Sequence, residues 1–207
     1  MKGFKEREAD LAEHLGGIGE RAGASVVGRF ENGTPVVEHE DETLPMLKGQ
    51  VPNNFNYTSD PVGLKCPFAG HIRKTNPRSD TDDSKNHLMA RRGIPYGSRL
   101  DKPNNGQIDD KPTGGVGLLF MAYQSDIVDQ FEFTQHIWAN NPDFRSRGVG
   151  IDPIIGQPKG AGLQKYPSKY GVELGEPFDF SGFVTMKGGE YFFAPSISFL
   201  KSFDNAE

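Results

Sequence analysis

The chain is poor in the residues and patterns that would give it an easy class. It has one cysteine, Cys66, in 207 residues. A single thiol excludes an internal disulfide and any multi-cysteine zinc site, and it leaves the redox compartment open. Long apolar runs are absent. Nothing approaches the roughly 20 residues that a membrane helix requires, and the opening MKGFKEREADLAEHLGG has no apolar core of an export signal. The expectation is a soluble chain of the cytoplasm. Excess positive charge is also missing: 23 Lys and Arg stand against 28 Asp and Glu, a formal charge of −5. That balance argues against general nucleic-acid binding. Internal repeats and low-complexity tracts are absent too. The most local absence lies between Asp60 and Asp80, where there is no acid at all. The segment CPFAGHIRKTNPR within it, residues 66–78, carries Cys66, His71, Arg73, Lys74 and Arg78.

What is abundant is punctuation. There are 26 glycines and 15 prolines, concentrated in 45–65, 92–117 and 148–182. Long connections of this kind are usually functional, or wrap a partner or cofactor. The length suits one domain spanning 1–207, with long loops at about 38–65, 97–114 and 145–182. Phe4, Leu11, Leu15 and Ile18 recur at helical spacing and predict a short amphipathic helix over 4–18. Residues 24–30, ASVVGRF, read as a strand entering an Asn32-Gly33 turn. Gly93, Pro95 and Gly97 predict a loop, and the apolar run at 115–123 a strand. A helix is expected over 126–140, with Ile127, Val128, Phe131, Ile137 and Trp138 on one face and Asn141-Pro142 as its stop. Residues 183–195 predict a hairpin turning at Gly188-Gly189. Strand, helix and hairpin in this order indicate an α+β fold with an antiparallel sheet.

A neutral imidazole is a good iron ligand, and cations beside it suit an anionic cofactor. Haem meets both conditions, with His71 for the iron and the forked guanidinium of Arg73 or Arg78 for a propionate. The bland alternative is a hydrogen-bonded loop histidine. Cys66 has two readings as well, a thiolate ligand or a small buried apolar residue.

Six blocks carry a resemblance. CPFAGHIRKTNPR (66–78), ARRGIPYG (90–97), GVGLLFMAYQ (115–124), FEFTQHIWAN (131–140), GIDPIIGQ (150–157) and GGEYFFAPSIS (188–198) occur in order. Together they resemble the dye-decolorizing (DyP-type) haem peroxidase family, in its C-terminal half only. The resemblance implies a ferredoxin-like fold, an antiparallel β-sheet with helices on one face, forming half of a two-domain peroxidase of the dimeric α+β barrel type. It implies haem b (iron protoporphyrin IX) and a reaction of hydrogen peroxide with dyes, phenols or other small aromatic reductants. Carried over by motif, His71 is the iron ligand and Arg91 the catalytic arginine that holds peroxide, with Arg92 as its rival. Leu118 and Phe120 line the distal haem face or are plain core. Asp152 hydrogen-bonds the ligand histidine or caps a turn, and Arg78 meets a propionate. Tyr96 and Trp138 stand where some relatives pass an oxidising equivalent to the surface. His14, His39, His87 and His136 receive no role, and His136 is expected to face solvent.

The resemblance breaks at one motif. Family members carry a distal aspartate in a G-x-x-D-G block ahead of the ligand histidine, and no such block occurs in this sequence. Asp109 and Asp110 come after His71 and do not match. The expectation is therefore a haem-binding subunit, active as a heterodimer with a second chain that carries the N-terminal half and its aspartate. The alternatives are a processed fragment and a non-catalytic module that binds haem or protein.

Overall fold

The computed structural model describes residues 2–42, 51–98 and 114–203. Leu11 on α1 (Lys2–His14) and Leu15 just past its end, whose N–H donates to the Leu11 carbonyl at 3.0 Å, are both buried. The helix ends where Gly16 and Gly17 take φ of +88° and +85°, backbone angles open to glycine at little cost. The expected strand at 24–30 is instead a helix, α2 (Arg21–Val27). The β-branched pair Val26-Val27 favours a strand locally, but packing decides otherwise. Ala22 and Val26 enter one core cluster with Leu11, Leu15, Tyr166 and Phe180, and Ala24 enters another with Phe30, Val36, Phe55 and Tyr57. A helix can feed both clusters from alternate faces. Its end is set by Gly28 at φ +102°, and the Asn32-Gly33 turn forms as expected, Gly33 donating to the Phe30 carbonyl at 2.9 Å.

Among the described residues all strand pairs are antiparallel, and the class is α+β. The described strands form four two-stranded pairs rather than one sheet. β1 (Ala90–Arg91) pairs with β4 (Ala122–Tyr123), and β2 (Ile94–Ser98) with β3 (Gly114–Leu119). Farther along, β5 (Leu163–Gln164) pairs with β8 (Phe178–Asp179), and β6 (Pro167–Lys169) with β7 (Glu173–Leu174). The loop expected at 92–97 is thus largely strand. A two-stranded ribbon leaves one edge of each strand unpaired, where a proline such as Pro95 lacks no needed N–H. Tyr96 lies opposite Gly117, and its ring covers the glycine so closely that a Cβ there would fall 2.3 Å from the ring.

The predicted helix at 126–140 forms as two π-helical segments, Val128–Glu132 and Thr134–Ala139. Bonds such as Glu132 N–H to the Ile127 carbonyl and Asn140 N–H to Gln135, each 3.0 Å, run five residues back. The wider turn rotates successive side chains away from the α-helical face. Trp138 is buried while Val128 and Ile137 are exposed, so the single apolar face predicted for these residues does not form.

The hairpin predicted at 183–195 is not present: these residues form no regular element among the described residues, and Phe192 and Phe193 are 86% and 88% exposed. A strand needs a hydrogen-bonded neighbour, and none of the described strands pairs with this segment. A last helix, α4 (Ile197–Phe203), follows. Of the long loops, 51–65 is irregular as expected, 145–182 contains the short pairs β5 to β8, and most of 97–114, with Asp109 and Asp110, lies outside the described residues. No helix among the described residues is long and apolar enough to cross a membrane.

Candidate functional site

The acid-free segment is bracketed by the two acids that organise it. Arg73 is 1% exposed and uses all five of its N–H groups. Nε and Nη2 fork onto the Asp80 carboxylate at 2.7 and 3.0 Å. Nη1 reaches Asp60 Oδ2 at 2.7 Å and the Cys66 carbonyl at 2.5 Å, and Nη2 also reaches the Asp60 carbonyl at 2.8 Å. The guanidinium is sandwiched between the rings of Tyr57 and Phe68, 4.3 and 4.4 Å away. Asp60 additionally accepts the backbone N–H groups of Leu64, Lys65 and Cys66. Arg73 is therefore an internal clamp and is not available to a propionate. Cys66 is buried in the same cluster, and burial pushes its thiol up to about 12. That places it as a small apolar residue, not a thiolate ligand.

The clamp fixes α3 (His71–Thr75), a five-residue helix that opens at Gly70. A Cβ on Gly70 would stand 3.0 Å from the Ser25 carbonyl, so the close approach of α3 to α2 favours glycine there. His71, at the first position of α3, donates or shares its Nδ1 proton with Asp152 Oδ2 at 2.9 Å. Asp152 is fully buried, whereas the imidazole is 23% exposed. Its other oxygen, Oδ1, accepts the N–H groups of Ile154 and Ile155, each at 2.8 Å. One oxygen of Asp152 thus caps the turn and the other is hydrogen-bonded to His71. Nε2 of His71 has no partner among the described residues and is the nitrogen left for a ligand bond.

One turn along α3, Lys74 is fully buried, and its Nζ donates to the Asn141 carbonyl at 2.9 Å. Burial pushes this lysine from its ordinary 10.5 down to about 8, against the opposing pull of Asp152 and Asp143. A lysine that is depressed in the fold binds fewer protons folded than unfolded between those values, so stability rises with pH across that window. Relative to a Lys74→Met variant, the wild type is expected to gain up to about 3 kcal/mol between about pH 8 and 10.5. Urea midpoints of both proteins at the two ends check this, and a difference independent of pH would contradict it.

A second assembly lies on the ribbon. An open concavity of about 520 Å³ is lined by Met89, Ala90, Arg91, Arg92, Gly93, Leu118 and Phe120. The structure thus brings Arg91, Leu118 and Phe120 together. Leu118 and Phe120 are exposed, so within this chain they are not core. The guanidinium of Arg91 has no partner among the described residues, while Arg92 Nη1 turns back to the Arg91 carbonyl at 2.8 Å. Arg78 takes φ +50°, uncommon for a side-chain-bearing residue. It donates to the Asn53 and Phe55 carbonyls at 2.9 and 2.8 Å and stacks on Phe55, leaving Nε without a partner.

Tyr96 is 57% exposed, as a surface role requires. Trp138 is 2% exposed and packs edge-on to His87 and Phe133 at 5.0 and 5.3 Å, so it is not itself a surface group. His136 faces solvent as expected.

Comparison with known proteins accounts for this arrangement. The family model described as Dyp-type peroxidase, C-terminal, matches residues 25–146. The chain belongs to the DyP-type peroxidase family. It is 49% identical to the multifunctional dye peroxidase DyP2 of Amycolatopsis sp., over 96% of this chain and 45% of that protein. The solved structure of that DyP2 superposes with a TM-score of 0.81, covering 96% of this chain and 46% of the other. A DyP-type peroxidase from Anabaena sp. is 44% identical, with a TM-score of 0.82 over 97% of this chain and 42% of its own. These likenesses establish the ferredoxin-like α+β class of the family. The chain spans less than half the length of these relatives. Around His71, Lys74 is the buried charged group to which motif reading gave no role. Its signal was the i, i+3 spacing from His71, and its burial is visible only in the packed structure.

Proposed function

We propose that the chain is the haem-binding C-terminal domain, 1–207, of a DyP-type peroxidase that oxidises dyes, phenols or other one-electron donors with hydrogen peroxide. The cofactor is haem b. The observation that carries the reading is the buried Asp152 holding His71 Nδ1 at 2.9 Å, because it leaves Nε2 as the nitrogen that would ligate an iron and would make the imidazole a stronger donor. The residues present fit the group. His71 would ligate the iron, the exposed apolar Leu118 and Phe120 would contact the ring, and Arg78 would meet a propionate through Nη2, which has a second N–H beyond its bond to Asn53 Oδ1. When bound, haem supplies the redox chemistry, the two-electron reduction of peroxide and the one-electron oxidation of donors. Arg91 binds the peroxide and stabilises the negative charge that develops as the O–O bond breaks. Tyr96 offers an exposed ring to donors too bulky for the concavity.

Moving a proton from one peroxide oxygen to the other needs a base, and arginine stays protonated. Among the described residues no carboxylate lines the concavity. We propose that a separate N-terminal half, carrying the G-x-x-D-G aspartate, supplies that base in the assembled enzyme. The same observation favours a second reading, a haem-binding or protein-interaction module without turnover.

Haem loading and peroxide-dependent dye oxidation, measured on the chain alone and with the partner that co-elutes from its native source, separate the two readings. Turnover only in the complex supports the enzyme, and haem without turnover in either state supports the module. In the assembled protein Arg91→Leu is expected to keep its haem and to react with peroxide about 10²–10³-fold more slowly. The same loss in Arg92→Leu instead would move the role to the neighbouring residue.

A further inference from the structure

We propose that Lys74 is a positioning residue for the His71–Asp152 pair: its buried ammonium offsets part of the Asp152 charge and so limits how strongly that carboxylate draws the Nδ1 proton of His71. The inference deepens the haem-ligand reading and rests on it only for its haem-based readout.

Three observations converge on Lys74. His71 and Lys74 stand three residues apart on α3 and so share one face of the helix. Lys74 is fully buried, and its described hydrogen bond goes to the Asn141 carbonyl, just past the end of the Thr134–Ala139 segment. Asp152 is tied to the same end of that segment, its N–H donating to the Ala139 carbonyl at 2.7 Å. One cation and one anion, both buried, are thus anchored two residues apart on a common support. Asp152 and Asp143 are the acids that favour the charged lysine. With little water between them, such charges interact far more strongly than at a surface. Asp152 therefore divides its attraction between a lysine and a histidine. Without the lysine, the imidazole takes on more of the character of its anion. Arg73, its neighbour on α3, cannot substitute, because all its donors are already committed to Asp60, Asp80 and Cys66.

The test uses the full chain as Lys74→Met, Asp152→Asn and the double variant, with Lys74→Gln as a milder substitution that keeps a donor for the Asn141 carbonyl. In the haem-free protein at neutral pH, the Nδ1–H proton resonance of His71 is expected to move downfield in Lys74→Met and Lys74→Gln. In the Asp152→Asn background the same change should be several-fold smaller. A lysine that only fills space would lower stability equally in both backgrounds without a downfield shift. In the haem-loaded protein, loss of Lys74 should raise the iron–histidine stretching frequency and lower the ferric/ferrous midpoint potential. An unmoved resonance in folded Lys74→Gln, or equal shifts with and without Asp152, would overturn the proposal. A downfield shift in a protein that shows no iron–histidine mode would leave Lys74 in its role and remove His71 as the ligand.

Discussion

Replacing His71 by alanine is expected to strip the chain of stably bound haem while leaving it folded. The side chain is partly exposed and lies outside both core clusters. Its loss takes one partner from Asp152, whose Oδ1 keeps the N–H groups of Ile154 and Ile155, so the cost in stability should leave the chain folded. On the proposed reading it would remove the bond to the iron and with it the anchor for the cofactor. The remaining groups, an apolar ribbon and a guanidinium already bonded to residues 53 and 55, would offer the ring a surface but no ligand for the iron. The ratio of Soret to protein absorbance after gel filtration reads the result. His136→Ala, at an exposed position, serves as the control and should retain full haem content. Free imidazole should restore binding to the alanine variant if the cavity it leaves is the ligand position. Unchanged haem content in His71→Ala would refute the assignment outright.

Arg73→Met is expected to cost stability on the scale of the whole domain. The substitution leaves Asp60 and Asp80 as buried carboxylates stripped of their counter-charge, with side chains 2% and 5% exposed. Breaking a buried pair by removing one partner costs about 3–5 kcal/mol, and this arginine serves two. Domain stabilities are about 5–15 kcal/mol, so the variant should unfold at a much lower urea concentration than wild type. Arg73→Lys should not rescue it. An ammonium has three donors and no planar fork, whereas this site fills five donors and stacks on two rings. Because the clamp sets the start of α3, haem affinity should fall with stability. A midpoint within error of wild type would show that the Asp60–Arg73–Asp80 node is not structural.

The two variants separate what could be read from the chain and what could not. His71, Arg91 and Asp152 were legible because each sits in a short ordered motif whose residue types are demanded by the chemistry. The helix over 4–18 and the turn at Asn32-Gly33 were legible because their signals are local: apolar spacing in one case, a glycine with positive φ in the other. The strand expected at 24–30 failed because residues 21–27 face two core clusters, a demand made by distant residues. The hairpin expected at 183–195 failed for a related reason, since a strand exists only where another backbone lies beside it. Trp138, read on the apolar face with packing as one of its two roles, is buried beside His87 and Phe133, whereas Val128 and Ile137, read on the same face, are exposed because the π-helical turns rotate them away.

The sequence by itself determined the family and the absence of a G-x-x-D-G block, and it put forward His71 and Asp152 as the candidate ligand pair, because motif chemistry is written in residue order. Only the tertiary structure decided that Arg73 is a clamp committed to Asp60 and Asp80, that Lys74 is buried with its Nζ on the Asn141 carbonyl, and that Leu118 and Phe120 are exposed. Those three facts depend on which groups exclude water from one another, and burial is settled by contacts between residues far apart in the chain.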